Sequence, residues 1–329
     1  MKLGIVGTGA IAREVLPLVG GWGWQPAALC GTPRSADAVR ELCEQNSVPA
    51  GYTDYPAMLR EADVDTVYVA VPNFLHYSMA RQALEAGRSV IVEKPMASNH
   101  REAVELAALA REENLCLFEA ITTVYLPNYH KLRQLLPRIG SVKLVTCNFS
   151  SYSRRYDAFR AGQVLPVFDP AKSGGALMDL NLYNLYWLLG LFGPPDAAAY
   201  HANVERGIDT SGILTLDYPA FRAVSIAAKD CSAPCSYVIQ GTGGYLKQDT
   251  PANFCGPVTL HLNDGSEERF DLNPASRLEP EFRAFARKME NGGYAACEAA
   301  LERSLLVSRV LTEARLRAGI CFPADRCNQ

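Results

Sequence analysis

The sequence contains no Cys-x-x-Cys pair, although it has ten cysteines in 329 residues. Cys231 and Cys235 have no matching second pair and no nearby histidine, so the spacing of a zinc site is missing. No apolar run reaches the roughly 18 residues that a membrane-spanning helix requires. Neither sign of charge is in excess. The 32 Lys and Arg against 35 Asp and Glu give a net charge of -3, which provides no electrostatic footprint for nucleic acid or a membrane surface. Internal repeats and low-complexity segments are missing too. The start, MKLGIVGTGAIAREVL, has the early Lys and apolar character of a secretory signal, but Arg13 and Glu14 interrupt it. What remains is an ordinary globular composition, 48% hydrophobic and 20% charged, at a length suited to two domains. Small, buried, reduced cysteines then fit a cytoplasmic protein.

What is present changes character near residue 120. Before it, short β-rich runs alternate with helical patterns. KLGIV (2–6), AALC (27–30), TVYVAV (66–71) and SVIVE (89–93) each precede a helical stretch, and LCLFEA (115–120) closes the series. That alternation predicts βαβ units and a doubly wound parallel sheet. Ser35 is placed to cap a helix from Ala36, Asn99 and Glu102 have capping-box spacing, and Gly87 sits where a helix ends left-handed. From about 141 strand-like runs follow one another: 141–150, 197–205, 212–218, 222–228, 236–241 and 258–262. They predict an open, mostly antiparallel sheet in an α+β domain. One helical segment, SGGALMDLNLYNLYWLLG, interrupts them, and a helical tail runs from Glu279 to Arg317. The expected domains are 1–120 and 121–329. With many strands and few helices, the second domain leaves one sheet face for a partner, which predicts a homodimer or larger homo-oligomer.

The first strand runs directly into Gly7-Thr8-Gly9-Ala10-Ile11-Ala12, a G-x-G-x-x-A turn that opens a helix. Such a turn lets backbone N–H groups approach a pyrophosphate, and here it starts a βαβ series, as that mechanism requires. The second strand ends in LCGTPRS, without the acidic residue that holds the ribose diol of NAD. Thr32 and Arg34 stand there instead. Either they receive a 2′-phosphate, which favours NADP over NAD, or Arg34 is a solvated loop charge.

At the fourth β-rich run, Glu93-Lys94-Pro95 ends an apolar strand. Ligands of doubly wound sheets bind beyond the carboxyl ends of the strands, so Lys94 belongs to the same crevice as Gly7–Ala12. There its ammonium suits proton transfer with a substrate hydroxyl; the alternative is a surface ion pair. Together with "VAVPNFLH", "ALEAGRSVIVEKP", "SGGALMDLNLY" and "EARLRAGICFP", this motif resembles the Gfo/Idh/MocA oxidoreductases across nearly the whole chain. The resemblance implies Lys94 as catalytic lysine, Glu93 beside the nicotinamide ribose, Pro72, Asn73 and His76 along the cofactor, and Asp179 orienting substrate. Tyr183 stands where most members carry a catalytic histidine, as in the dimeric dihydrodiol dehydrogenase branch. Asn181 replaces a usual glycine, which places a side chain in space normally open.

Local physics supports a role for Tyr183. It lies four residues from Asp179 on one helix face, and a nearby ammonium lowers a phenol pKa. The alternative makes it one more apolar-face residue beside Leu180, Leu182, Tyr186 and Trp187. Arg155 and Tyr156 are candidate substrate-binding residues in SSYSRRYDAFRAG, or part of a solvated loop. The expected activity is hydride transfer between NAD(P) and a secondary alcohol or carbonyl of a sugar, cyclitol or diol, without a metal. A non-catalytic NAD(P)-binding sensor and an NAD-dependent glycosidase are the alternatives.

Overall fold

Strands β1 (Lys2–Val6), β2 (Gln25–Cys30), β3 (Ala50–Tyr52), β4 (Thr66–Val69), β5 (Ser89–Glu93) and β6 (Leu117–Ala120) pair in the order β3-β2-β1-β4-β5-β6, all parallel. The computed structural model describes residues 1–326. Central strands β4 and β5 are buried along nearly their whole length. Parallel strands buried on both faces need helices on both sides, and helices 36–46, 76–85 and 100–112 belong to these crossovers. The order reverses between β1 and β4, which leaves a crevice beyond their carboxyl ends. β3 is a three-residue edge strand that the sequence pattern does not single out.

Helix punctuation agrees in part. Gly87 has φ +72° two residues past the helix that ends at Glu85. Asn99 Oδ1 accepts from Glu102 N at 2.9 Å, and the Glu102 carboxylate reaches back to accept from Ser98 N at 3.0 Å. Ser35 makes no side-chain cap on the helix Ala36–Asn46. Its hydroxyl accepts from Thr32 N at 2.8 Å, because the preceding 3-10 turn brings that donor closer.

The second sheet holds β7 (Val142–Ser150), β8 (Ala197–Glu205), β9 (Ile208–Asp217), β10 (Arg222–Ala228), β11 (Ser236–Gly241), β12 (Gly244–Gln248), β13 (Val258–Leu262) and β14 (Glu267–Phe270). Its order is β14-β13-β12-β11-β7-β10-β9-β8, antiparallel except between β7 and β10. β12 and β14 do not stand out in the sequence, since they carry Gly, Lys, Gln and Glu in place of an apolar alternation. On one face Val145, Leu214, Ile239 and Leu246 pack in a common core with Leu185, Leu188 and Leu311 of the helices. The opposite face exposes Leu144 (49%), Ile213 (44%) and Tyr245 (39%).

The chain clusters into two units: residues 1–120 with 281–305, and residues 121–280 with the chain from 306 onward. The boundary at 120 alone does not convey this, because the helical tail is divided. That tail spans Glu279–Arg317 with a break at Gly293. Its first part completes the core of the first unit: Trp24 Nε1 donates to Phe282 O at 3.1 Å, Tyr68 packs edge-on against Phe282, and Phe118 stacks on Phe285 at 4.5 Å. No helix among the described residues is long and apolar enough to cross a membrane.

Candidate active site

Because all six strands of the first sheet are parallel, Gly7, Thr32, Pro72 and Lys94 all follow carboxyl ends and gather along one edge. Gly7 has φ +117°, and a Cβ there would lie 2.1 Å from Ala70 O, so only glycine fits the turn. A Cβ on Gly9 would meet nothing within 4 Å. Thr8, Gly9, Ala10 and Ile11 are exposed or half-buried around the start of helix Ala10–Val15, and the space beside Gly9 is open. That arrangement fits a pyrophosphate. Thr32 and Arg34 are exposed in the turn after β2, and Asp37 is paired with Arg40 at 2.7 Å.

The loop after β5 is fixed from below. Tyr68, buried in the middle of β4, donates its hydroxyl to Glu93 Oε1 at 2.5 Å. Met96 N donates to the buried Glu119 carboxylate at 3.0 Å. His76 is 1% exposed, with Nδ1 2.7 Å from Pro95 O and Nε2 2.8 Å from Val71 O. Complete burial pushes the imidazole below its ordinary pKa. The two carbonyls oppose that shift, and the Lys94 ammonium adds to it. His76 thus lies beneath the Pro72–Asn73 and Lys94–Pro95 loops, its neutral ring donating to one of the two carbonyls and held close to the other. Lys94 itself is half-buried at the edge, and the Lys94–Pro95 peptide is cis.

In the second unit the segment SGGALMDLNLY opens as a π turn, Leu177–Asn181, before the α-helix Leu182–Phe192. π turns inside helices are frequent at functional sites. Gly175 has φ +107°, and a Cβ there would sit 2.1 Å from Asp209 Oδ1. This close approach lets the buried Asp209 accept from Leu177 N at 2.6 Å and from Tyr200 OH at 2.8 Å. Asp179 projects from the π turn and forms an ion pair with Lys229, which follows β10 and is only 4% exposed. Tyr183 is half-buried, 6.3 Å from the Phe149 ring, while residues 184–189 are buried.

One sequence-predicted detail comes out differently. Asn181 does not reach into open space. It is 0% exposed and turned to the sheet, bonded to the Ser225 hydroxyl and to Asn184. Tyr156 is also engaged: its hydroxyl donates to Glu205 at 2.5 Å, which pushes its pKa up to about 12, and its ring packs against Phe168. Arg155 is exposed on the short helix Arg154–Arg160. Sequence reading missed Lys229, Tyr68 and Glu119. None of the three carried a specific signal; Lys229 is a cation after an apolar strand, a pattern that solvated lysines share.

Residues 1–121 match the family model described as "Oxidoreductase family, NAD-binding Rossmann fold", and residues 129–247 match the GFO/IDH/MocA C-terminal domain. This is an NAD(P)-binding oxidoreductase. The chain is 35% identical over 297 residues to scyllo-inositol 2-dehydrogenase (NADP(+)) IolU of Bacillus subtilis, covering 89% of this chain and 90% of that one. It is 27% identical over 346 residues to trans-1,2-dihydrobenzene-1,2-diol dehydrogenase of Sus scrofa, covering 99% of both. The fold is shared with KijD10, a 3-ketoreductase from Actinomadura kijaniata solved with NADP and TDP-benzene, at a TM-score of 0.84 and 23% identity over 96% of this chain and 97% of that one. The chain belongs to the Gfo/Idh/MocA oxidoreductase family.

Proposed function

We propose that this protein is an NADP(H)-dependent dehydrogenase or reductase of a secondary alcohol on a cyclitol, sugar or diol, acting through Lys94, Tyr183 and Asp179. The observation that carries this reading is Lys94 at the edge where the glycine turn also opens. Bound NADP supplies the hydride-accepting nicotinamide. Lys94 bonds the substrate hydroxyl and favours its ionised form. Tyr183 takes the hydroxyl proton during oxidation and returns it during reduction. Asp179, held by Lys229, accepts a hydrogen bond from a second hydroxyl, which selects polyols over simple alcohols. Pro72, Asn73 and Glu93 would hold the cofactor, and Arg155 is a candidate for binding the substrate. The vicinal oxygens of inositol and dihydrodiol in the relatives' names accord with this reading.

Thr32 and Arg34 favour NADP. A charge-assisted hydrogen bond is worth about 1.5–3 kcal/mol, so Arg34→Ala is expected to weaken NADP+ binding by roughly 10- to 100-fold and to leave NAD+ binding nearly unchanged. Calorimetry with both cofactors measures this, and equal losses for the two would remove Arg34 from phosphate recognition. The function itself is tested by following cofactor reduction across cyclitols, sugars and diols. Turnover of aryl glycosides with catalytic cofactor would mark a glycosidase, and binding without any turnover would mark a sensor.

The exposed face of the second sheet favours a homodimer or larger homo-oligomer. Rows such as Ile213 beside Ile226, and Val224 and Val238 on either side of Thr146, carry apolar side chains in register on the face opposite the core. Burying such a face contributes about 25 cal/mol per Å² of apolar area. Light scattering at micromolar concentration is expected to give at least twice the mass of one chain, and Ile213→Lys is expected to lower it. A monomeric wild-type protein would refute the assignment.

A further inference from the structure

Cys116 and Cys297 lie 181 positions apart in the chain, and both belong to the first unit. Their sulfurs are 2.6 Å apart, with residue exposures of 3% and 1%. A disulfide spans about 2.05 Å, so covalent closure needs only about half an ångström of further approach. Cys116 directly precedes β6 and is anchored: its N–H donates to Ser89 Oγ, and its carbonyl accepts from Val90 N. Cys297 lies in the first turn after the break at Gly293, and its thiol also faces Gly293 O at 3.2 Å. Both neighbouring segments, Glu112–Asn114 and Asn291–Gly293, are exposed, so the pair lies shallow.

The surrounding groups hold this junction together. Arg111 donates from Nε to Tyr294 OH at 3.1 Å and pairs through its guanidinium with Glu298 and Glu302. Lys288 Nζ, bonded to Ala296 O at 2.8 Å, places a cation near the sulfurs.

We propose that Cys116 and Cys297 are a peroxide-sensitive dithiol that closes to a disulfide between β6 and the carboxy-terminal helix. The hydrogen bond from Cys297, together with the Lys288 ammonium, lowers the pKa of Cys116 against the cost of burial, and Cys297 is raised correspondingly. Cys116 is taken as the attacking thiolate, because it accepts the hydrogen bond from the Cys297 thiol at 2.6 Å and faces the Lys288 ammonium. It displaces hydroxide from hydrogen peroxide as the O–O bond breaks, and becomes a sulfenic acid. Cys297 sulfur then attacks Cys116 sulfur, the S–O bond breaks, and water leaves with the Cys297 proton. Two thiols and one peroxide give one disulfide and two waters. Hydrogen peroxide is small and uncharged, which suits a pair this little exposed.

The test treats the full chain with hydrogen peroxide, alkylates remaining thiols under denaturing conditions and analyses the digest by mass spectrometry. The expected product joins the Cys116 and Cys297 peptides, is lighter than their sum by two hydrogens, and is lost on reduction. In Cys297→Ser, Cys116 is expected to accumulate as a sulfenic acid that dimedone traps. Recovery of both residues as alkylated thiols at peroxide levels that oxidise the exposed Cys231 and Cys321 would overturn the proposal. So would cross-linking of Cys116 to other cysteines as often as to Cys297.

Discussion

Lys94→Ala is expected to reduce turnover by about 10²- to 10⁴-fold while the protein still binds NADP(H). A positioned group that favours ionisation of the reacting hydroxyl is worth about that much in rate, or roughly 3–5 kcal/mol of barrier. The fold should persist. Lys94 is half-buried at the sheet edge, and the loop around it is held by His76 on Pro95 O and by Glu119 on Met96 N, contacts that do not involve the lysine side chain. Single-turnover rates, with cofactor binding followed by nicotinamide fluorescence, separate the two effects. Wild-type turnover in the variant would take Lys94 out of the chemistry.

Tyr183→Phe is the second substitution with a large expected effect. It keeps the ring and its packing near Phe149 and removes only the hydroxyl. If Tyr183 moves the substrate proton, the rate should fall by about 10²-fold or more, with little change in melting temperature. The opposite pattern, a lost melting point with normal turnover, would make it a packing residue like its buried neighbours at 184–189. The Asp179–Lys229 pair is a useful contrast. Lys229 is buried, so removing its charge would leave the Asp179 carboxylate without its ammonium partner, and both stability and rate would move together. Tyr183→Phe, unlike a change at Lys229, separates chemistry from folding.

The parallel sheet and its glycine turn were legible because their signals are local. A β-rich run, two glycines and a helix start lie within a dozen residues, and a parallel sheet places Lys94 on the same edge without further information. Lys229 was not legible, because its meaning depends on Asp179, 50 positions earlier in the chain, and a lysine closing a strand looks the same whether solvated or paired. Tyr68 shows a related limit: the apolar run around it predicts burial, but nothing in the run names Glu93 as the acceptor of its hydroxyl. The π turn at Asp179 depends on hydrogen-bond register and on Asp209 below it, and the apolar periodicity of the segment carries neither. β14, with the sequence EERF, has charged side chains that gave no strand signal, because their partners, His261 for Glu267 and Arg138 for Glu268, are not visible along the sequence.

The divided carboxy-terminal helix bears on how the chain is made. Domains of multidomain chains generally fold as units from the amino terminus during synthesis. Here the six strands of the first sheet are complete at Ala120, but Phe282, Phe285, Leu301 and Leu305, which cover Tyr68, Phe118 and neighbouring core residues, lie more than 160 residues further on. As it leaves the ribosome, the nucleotide-binding unit therefore exposes apolar surface until nearly the last tenth of the chain has emerged, and the second unit has all its strands before the first can close.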